Sequence, residues 1–267
     1  MLEIGWRLRD KDVWAAVSGL TVGEAWLRRD EPKAPEIVAK YERAMEQLAR
    51  GVPFAYAVGR AGFRTLDLTI DARALIPRPE TEGLVDLVLQ RAHGGLAADI
   101  GTGSGCIALS LAVEGSFDRV IAVERSPEAA ALAWENVALV RPRTPVEIRE
   151  GDLLAPLAGA RYRVIVANPP YLTEDEYAAL SLSVRDFEPR EALVSGPDGL
   201  DATRAVLAGA AALLEPQGLL ALEIDERRGA AVRALALASG WTRMEIHDDI
   251  FGRPRYALAQ KTALEDE

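Results

Sequence analysis

Apolar positions change period along this chain, and each change marks a different kind of element. Between residues 35 and 50, Ile37, Val38, Tyr41, Ala44, Met45 and Leu48 recur at helical spacing, and Gly51 follows as the helix-ending residue. Leu66, Leu68 and Ile70 then alternate with Thr65, Asp67 and Thr69, the period of two of a half-exposed strand. Its expected hairpin partner is residues 55–59, turned by residues 60–62. A helix from Glu80 to about Ala92 starts behind Pro77 and Pro79.

From Gly95 onward, strands expected at residues 96–100, 119–123, 146–149, 162–167, 219–224, 242–246 and 255–259 alternate with helices. The helices are expected around residues 106–113, 127–139, 199–214 and 226–239. Such alternation implies a mostly parallel sheet covered on both faces. Only about eight residues separate the last two strands, and a parallel crossover needs roughly a dozen, so these two must pair antiparallel. The fold class is α/β: a Rossmann-like, seven-stranded, mostly parallel sheet with a final antiparallel hairpin. A small helical N-terminal domain (residues 1–50) and a β-hairpin linker (51–74) precede the sheet domain (75–267).

Two strand ends carry chemistry. The run at residues 162–167 stops at Asn168-Pro169-Pro170-Tyr171. Each Pro fixes φ and lacks an N–H, so the turn is rigid and sets the Asn168 side chain beside a backbone carbonyl. Two acceptors side by side suit a planar –NH2 group, which offers two donors in one plane. Ligands of α/β sheets sit beyond the carboxyl ends of strands, where this turn lies.

The run at residues 96–100 leads into Asp99-Ile100-Gly101-Thr102-Gly103-Ser104-Gly105. Glycines at a strand-to-helix turn let backbone approach a ligand, and helix N–H groups face the same crevice. A dinucleotide fingerprint would require Gly where Cys106 stands; here the glycines alternate instead. Glu124 ends the next strand nineteen residues after Gly105, the spacing at which an acid suits ribose hydroxyls. Asp152 follows the strand after that. A lone acid of this kind is an ordinary loop or cap residue. Three at successive strand ends, beside a Gly turn, are much harder to read that way.

This constellation resembles the class I S-adenosylmethionine-dependent methyltransferases. From about residue 51 to 260 the chain resembles the HemK/PrmC family, which methylates a glutamine side-chain amide nitrogen in peptide-chain release factors. The likeness rests on Leu75-Ile76-Pro77-Arg78-Pro79-Glu80-Thr81-Glu82 and on Gly51-Val52-Pro53-Phe54-Ala55-Tyr56 with Gly59 and Phe63. Phe187-Glu188-Pro189, Ala192-Leu193 and Asp198-Gly199-Leu200 follow in family order. Asp225 after Ile224, and the extra Pro254, depart from the family pattern.

The resemblance implies S-adenosylmethionine as methyl donor, leaving S-adenosylhomocysteine. Gly101, Thr102, Gly103, Ser104 and Gly105 would cradle its methionine end, Glu124 its ribose, and Asp152 with the Leu153 N–H its adenine, with Asn168 between cofactor and acceptor. Asp99 either orients the cofactor amino group or orders the Gly turn. Arg78 and Glu80 either lie near the methionine end or cap the Glu80 helix. Class I release factors are the implied partners, through the glutamine of their Gly-Gly-Gln loop, with residues 1–50 recognising the substrate.

An amide nitrogen is a poor nucleophile because its lone pair is delocalised. Asn168 Oδ1 and the Pro169 carbonyl, accepting from both N–H groups, would aim that lone pair at the methyl carbon, a contribution of positioning. Pro170 stiffens the turn, and Tyr171 would wall the pocket. No base is needed before transfer. His93 and His247 stand in no recognisable pairing, and no metal site is expected.

Charge separates the remaining alternatives. Residues 1–50 hold nine Lys/Arg and nine Asp/Glu; the rest hold 22 against 32 and carry the whole net charge of −10. So acidic a domain is poorly suited to nucleic acid. An N6-adenine DNA methyltransferase, for which Asn-Pro-Pro-Tyr would serve equally, therefore stands second, with an rRNA methyltransferase, disfavoured by the same charge, or a ribosomal-protein methyltransferase, disfavoured by the signature around Arg78. A non-catalytic S-adenosylmethionine-binding regulator stands third. The 267 residues are 49% hydrophobic, enough for one large domain and a small one. The single Cys106 allows no internal disulfide. No apolar run reaches the roughly 18 residues of a membrane span, and no secretory or lipidation segment is expected at Met1-Leu2-Glu3, which has neither a basic region nor a lipidation site. A cytoplasmic monomer with no membrane or DNA partner is expected. Trp6, Trp14 and Trp26 are expected in the core of the helical domain, and residues 265–267 form an acidic tail.

Overall fold

The computed structural model describes residues 8–262, so Trp6 and the acidic tail lie outside the described residues. Helices α1 (Leu8–Ser18), α2 (Val22–Leu27) and α3 (Pro35–Ala49) pack through Val13, Trp14, Ala25, Tyr41, Ala44 and Leu48. The apolar stripe of α3 supplies Tyr41, whose ring meets Trp14 edge-on at 5.7 Å between centroids. Trp26 departs from expectation: half of it is exposed, with the Arg29 guanidinium 4.2 Å from its ring centroid.

The linker hairpin forms one element later than the apolar pattern implies. Residues expected as its first strand make helix α4 (Phe54–Val58). The expected turn is instead strand β1 (Arg60–Phe63), antiparallel to β2 (Leu66–Thr69). Pro53 caps the helix start and Gly59, at φ 73°, ends it. Five apolar residues are too few to separate a helix from a strand by period, so the flanking Pro and Gly decide.

The large sheet and its helices follow in order: α5 (Pro79–Arg91), β3 (Leu96–Ile100), α6 (Cys106–Glu114), β4 (Arg119–Glu124), α7 (Pro127–Val140), β5 (Val146–Glu150) and β6 (Tyr162–Ala167). Then come α8 (Glu174–Ala178), α9 (Leu182–Arg185), α10 (Asp201–Leu213), β7 (Leu214–Glu223), α11 (Gly229–Ala238), β8 (Glu245–Asp248) and β9 (Pro254–Gln260). The seven strands lie in the order β5-β4-β3-β6-β7-β9-β8, and only β9 runs antiparallel to its neighbours β7 and β8.

Two strand starts moved by more than one residue. Strand β7 starts at Leu214, because a bulge lets Leu214 pair with Tyr162 before Leu219 pairs with Val164. Strand β8 starts at Glu245, three residues late. The Trp241 indole N–H donates to the Leu207 carbonyl at 2.9 Å, which turns this segment inward before it can join the sheet.

Alternate strand residues feed opposite layers. Ala97, Val120, Ala122, Val164 and Val166 pack against α5, α6 and α7, whereas Ala98, Ile121, Val123, Ile165 and Leu220 pack against α10 and α11. The chain runs outward from β3 through β4 to β5, then returns to β6 on the other side of β3. That reversal opens a crevice at the carboxyl ends of β3 and β6. Ile100 pairs with both Val123 and Ala167, so Gly101, Glu124 and Asn168 leave the sheet at one level.

Candidate active site

The crevice is a cavity of about 400 Å³ walled by Gly101, Gly103, Glu124, Asp152, Leu153, Asn168 and Pro170, among others. Its far wall is residues 189–196, held in place where the Leu193 carbonyl accepts from the Tyr171 and Leu172 N–H groups at 3.2 and 2.9 Å. Ala74 and Leu75 close the opposite side.

The Gly turn is tied to β4 by the N–H groups of Gly101 and Thr102, both 2.9 Å from the Val123 carbonyl. Gly103 stands at φ 55°, which favours glycine there. Asp99 lies fully buried beneath the turn: its Oδ2 accepts from the Thr102 hydroxyl at 2.6 Å and from the Ala108 N–H at 3.1 Å. Oδ1 is buried with no hydrogen-bond partner among the described residues. Burial pushes the Asp99 carboxyl up to about 7, against the lowering effect of those two bonds and with a smaller rise from the Glu124 charge. Asp99 thus orders the Gly turn with one oxygen and keeps the other in reserve.

Glu124 joins the turn to the next loop. Its Oε2 accepts from the Gly103 N–H at 2.9 Å, and Oε1 accepts from the N–H groups of Arg125 and Ser126 at 2.8 and 2.9 Å. Oε1 is filled by its two bonds, whereas Oε2 keeps one acceptor site, and Glu124 lines the cavity. Asp152 is exposed at the cavity edge beside Leu153, whose φ of 45° is strained for a branched side chain.

Asn168 lines the cavity and donates its amide Nδ2 to Thr81 Oγ1 at 3.1 Å. Thr81 donates in turn to Glu223 Oε2 at 2.7 Å, and the Tyr171 hydroxyl reaches Glu223 Oε1 at 3.4 Å. Burial pushes the Glu223 carboxyl up to about 7 and raises the Tyr171 phenol. Pro169 is buried behind the turn.

Of the residues singled out by sequence, Gly101, Gly103, Glu124, Asp152, Leu153, Asn168 and Pro170 meet at the cavity wall. Asp99, Thr102, Ser104, Gly105, Pro169 and Tyr171 support it from behind or beside. The Ser104 carbonyl accepts from Asn136 at 2.9 Å, and Gly105 begins α6. Arg78 makes no side-chain cap; its guanidinium donates to Glu188 at 2.6 Å, while the Glu80 carbonyl accepts from the Tyr256 hydroxyl at 2.6 Å. Cys106 has its thiol pushed up to about 12 by burial and stays protonated at neutral pH.

Such a sheet, with an acid-flanked Gly turn and Asn-Pro-Pro-Tyr at its switch point, defines a methyltransferase. The Methyltransferase small domain family matches residues 80–184. A release factor glutamine methyltransferase of Moorella thermoacetica is 43% identical over 252 residues, covering 93% of this chain and 88% of that protein. Those of Xylella fastidiosa and Deinococcus radiodurans are 41% and 40% identical, over 90% and 92% of this chain and 89% and 87% of their own. A methyltransferase structure from Pyrococcus furiosus shares the fold, with TM-score 0.58 and 19% identity over 84% of this chain and 98% of that one. The chain belongs to the release factor glutamine methyltransferase family.

Reading the residues one by one missed three that the structure brings to this site. Thr81, Glu188 and Glu223 lie far from the motifs they serve; only Thr81 and Glu188 fell within segments that marked the family resemblance.

Proposed function

We propose that the protein transfers a methyl group from S-adenosylmethionine to the side-chain amide nitrogen of the glutamine in the Gly-Gly-Gln loop of class I peptide chain release factors. The orientation of Asn168 carries this reading. With Nδ2 engaged by Thr81, Oδ1 remains as an acceptor, and together with the Pro169 carbonyl it would make the pair a primary amide requires. The names of the relatives support the same substrate.

The cavity residues fit the cofactor. Gly101 and Gly103 at the wall, the acceptor site left on Glu124 Oε2 and the strained Leu153 beside Asp152 suit an aminoacyl chain, a ribose and a base in sequence, with the unpartnered Asp99 Oδ1 buried behind the turn. When bound, S-adenosylmethionine supplies an electrophilic methyl carbon on a sulfonium. The protein's own part is to hold and aim. Asn168 Oδ1 and the Pro169 carbonyl accept from the two N–H groups, which turns the nitrogen lone pair toward that carbon. Tyr171 stands beside the turn, tied to Glu223. Residues 1–50 serve in this account to grip the body of the release factor.

The charge distribution favours a protein acceptor over DNA or rRNA. Competing an unmethylated release factor, DNA and rRNA for labelled methyl groups tests the choice. The release factor should take essentially all of the label; label on adenine in either nucleic acid, with none on protein, would overturn the reading.

A further inference from the structure

Asn168 is not free to turn. Its nitrogen donates to Thr81 Oγ1, and Thr81 gives its single hydroxyl proton to Glu223 Oε2. A carboxylate only accepts, so Thr81 must donate to Glu223 and can only accept from Asn168. Thr81 is 2% and Glu223 1% exposed, so water cannot take over either role. We propose that Thr81 and Glu223 are positioning residues for methyl transfer, fixing the flip of the Asn168 amide so that Oδ1 is what the acceptor nitrogen meets. The inference rests on the reading of Asn168 as the group that holds that nitrogen.

Without the relay the two faces of the Asn168 amide become nearly equivalent. A turned amide would present –NH2 to the substrate –NH2, two donors with nothing to accept. The groups facing Glu223 are Thr81, Tyr171, Arg255, Glu80, Tyr256 and the Cys106 thiol; Arg255 and the two hydrogen bonds favour its charged form, whereas burial and Glu80 oppose it. A protonated Glu223 would donate to Thr81, leaving the Thr81 hydroxyl free to donate to Asn168 Oδ1 and so permit the wrong flip. Turnover should therefore fall as pH drops through about 7, and Glu223→Gln should be slower and lack that fall.

Substitution at Thr81 separates this role from packing. Thr81→Val keeps the shape and loses the hydroxyl; Thr81→Ser keeps the hydroxyl and loses a methyl. Thr81→Val should lower kcat about 10- to 100-fold with little change in affinity for S-adenosylhomocysteine, while Thr81→Ser stays near wild type. Because the relay works through Asn168, Thr81→Val should cost nothing further in an Asn168→Ala background. The side-chain amide signals of Asn168 in nitrogen-labelled protein, assigned by their loss in Asn168→Ala, give a readout independent of substrate. They should shift in Thr81→Val and hold in Thr81→Ser. Unchanged signals or wild-type kcat in Thr81→Val would overturn the proposal, as would an equal loss in Thr81→Ser. An active Asn168→Ala enzyme would instead remove the reading of Asn168 on which the proposal depends.

Discussion

Arg78 and Glu188 meet at 2.6 Å across 110 residues of sequence and pin the two lips of the cavity together. The Glu188 side chain is 1% exposed and also accepts from the Ile76 N–H at 3.2 Å. It thereby joins the segment carrying Ala74 and Leu75 to the segment that begins the far wall at Pro189. Arg78→Ala leaves a buried carboxylate short of its charged partner and should cost about 1–3 kcal/mol. Glu188→Gln, which keeps an acceptor without the charge, should cost less. Urea unfolding of both variants checks this order; equal midpoints with wild type would mean the pair holds nothing.

Glu124 has two duties, and a single variant cannot tell them apart. Glu124→Ala removes the acceptor for three backbone N–H groups and, in the proposed site, the acceptor for the ribose, so S-adenosylhomocysteine affinity should fall by about 1–3 kcal/mol or more. Glu124→Gln keeps one oxygen for each side at best and should fall between. Calorimetric titration with unchanged affinity in both variants would remove Glu124 from the cofactor site.

Asp99 makes stability depend on pH with a definite sign. Its carboxyl sits at about 7 in the folded protein against a usual 3.8, so folding favours the protonated form. The contribution is therefore fully present below about pH 4, declines as pH rises through 7, and is flat above. Asp99→Asn has no such proton to lose. Relative to wild type it should gain stability between pH 5 and pH 8, measured by urea unfolding at each pH. A constant difference across that range would show that Asp99 is charged throughout.

Much of this was legible along the chain because the signals were local. The strands at residues 96–100 and 162–167 fall where their apolar runs begin and end, and the Gly turn and Asn-Pro-Pro-Tyr sit at the crevice those strands open. The antiparallel end of the sheet followed from the short link before β9. The hairpin partner was misplaced because a five-residue apolar run carries no period, and the Pro and Gly flanking it outweighed its β-like content. The relay behind Asn168 was invisible for another reason. Thr81 and Glu223 are 142 residues apart and meet only because α5 packs against β7; nothing in either neighbourhood marks them as partners.

A further consequence concerns Asn168 itself. Asn168→Asp retains an acceptor oxygen and should keep part of the activity, but it loses the donor to Thr81 and places a second carboxylate near Glu223. Asn168→Ala removes the acceptor and should lower kcat far more than it weakens cofactor binding, because the proposed contact is to the reacting nitrogen. Steady-state kinetics beside calorimetry separate the two effects. A loss confined to cofactor affinity would move Asn168 out of the reaction centre.

In the proposed reaction one glutamine nitrogen receives the methyl group. Tandem mass spectrometry of an unmethylated class I release factor, incubated with the protein and S-adenosylmethionine, tests it most directly. The account predicts a gain of one methyl on the glutamine of the Gly-Gly-Gln loop, absent with Asn168→Ala and absent when that glutamine is changed to alanine. Methylation at another residue, or an unmodified release factor beside methylated nucleic acid, would contradict it.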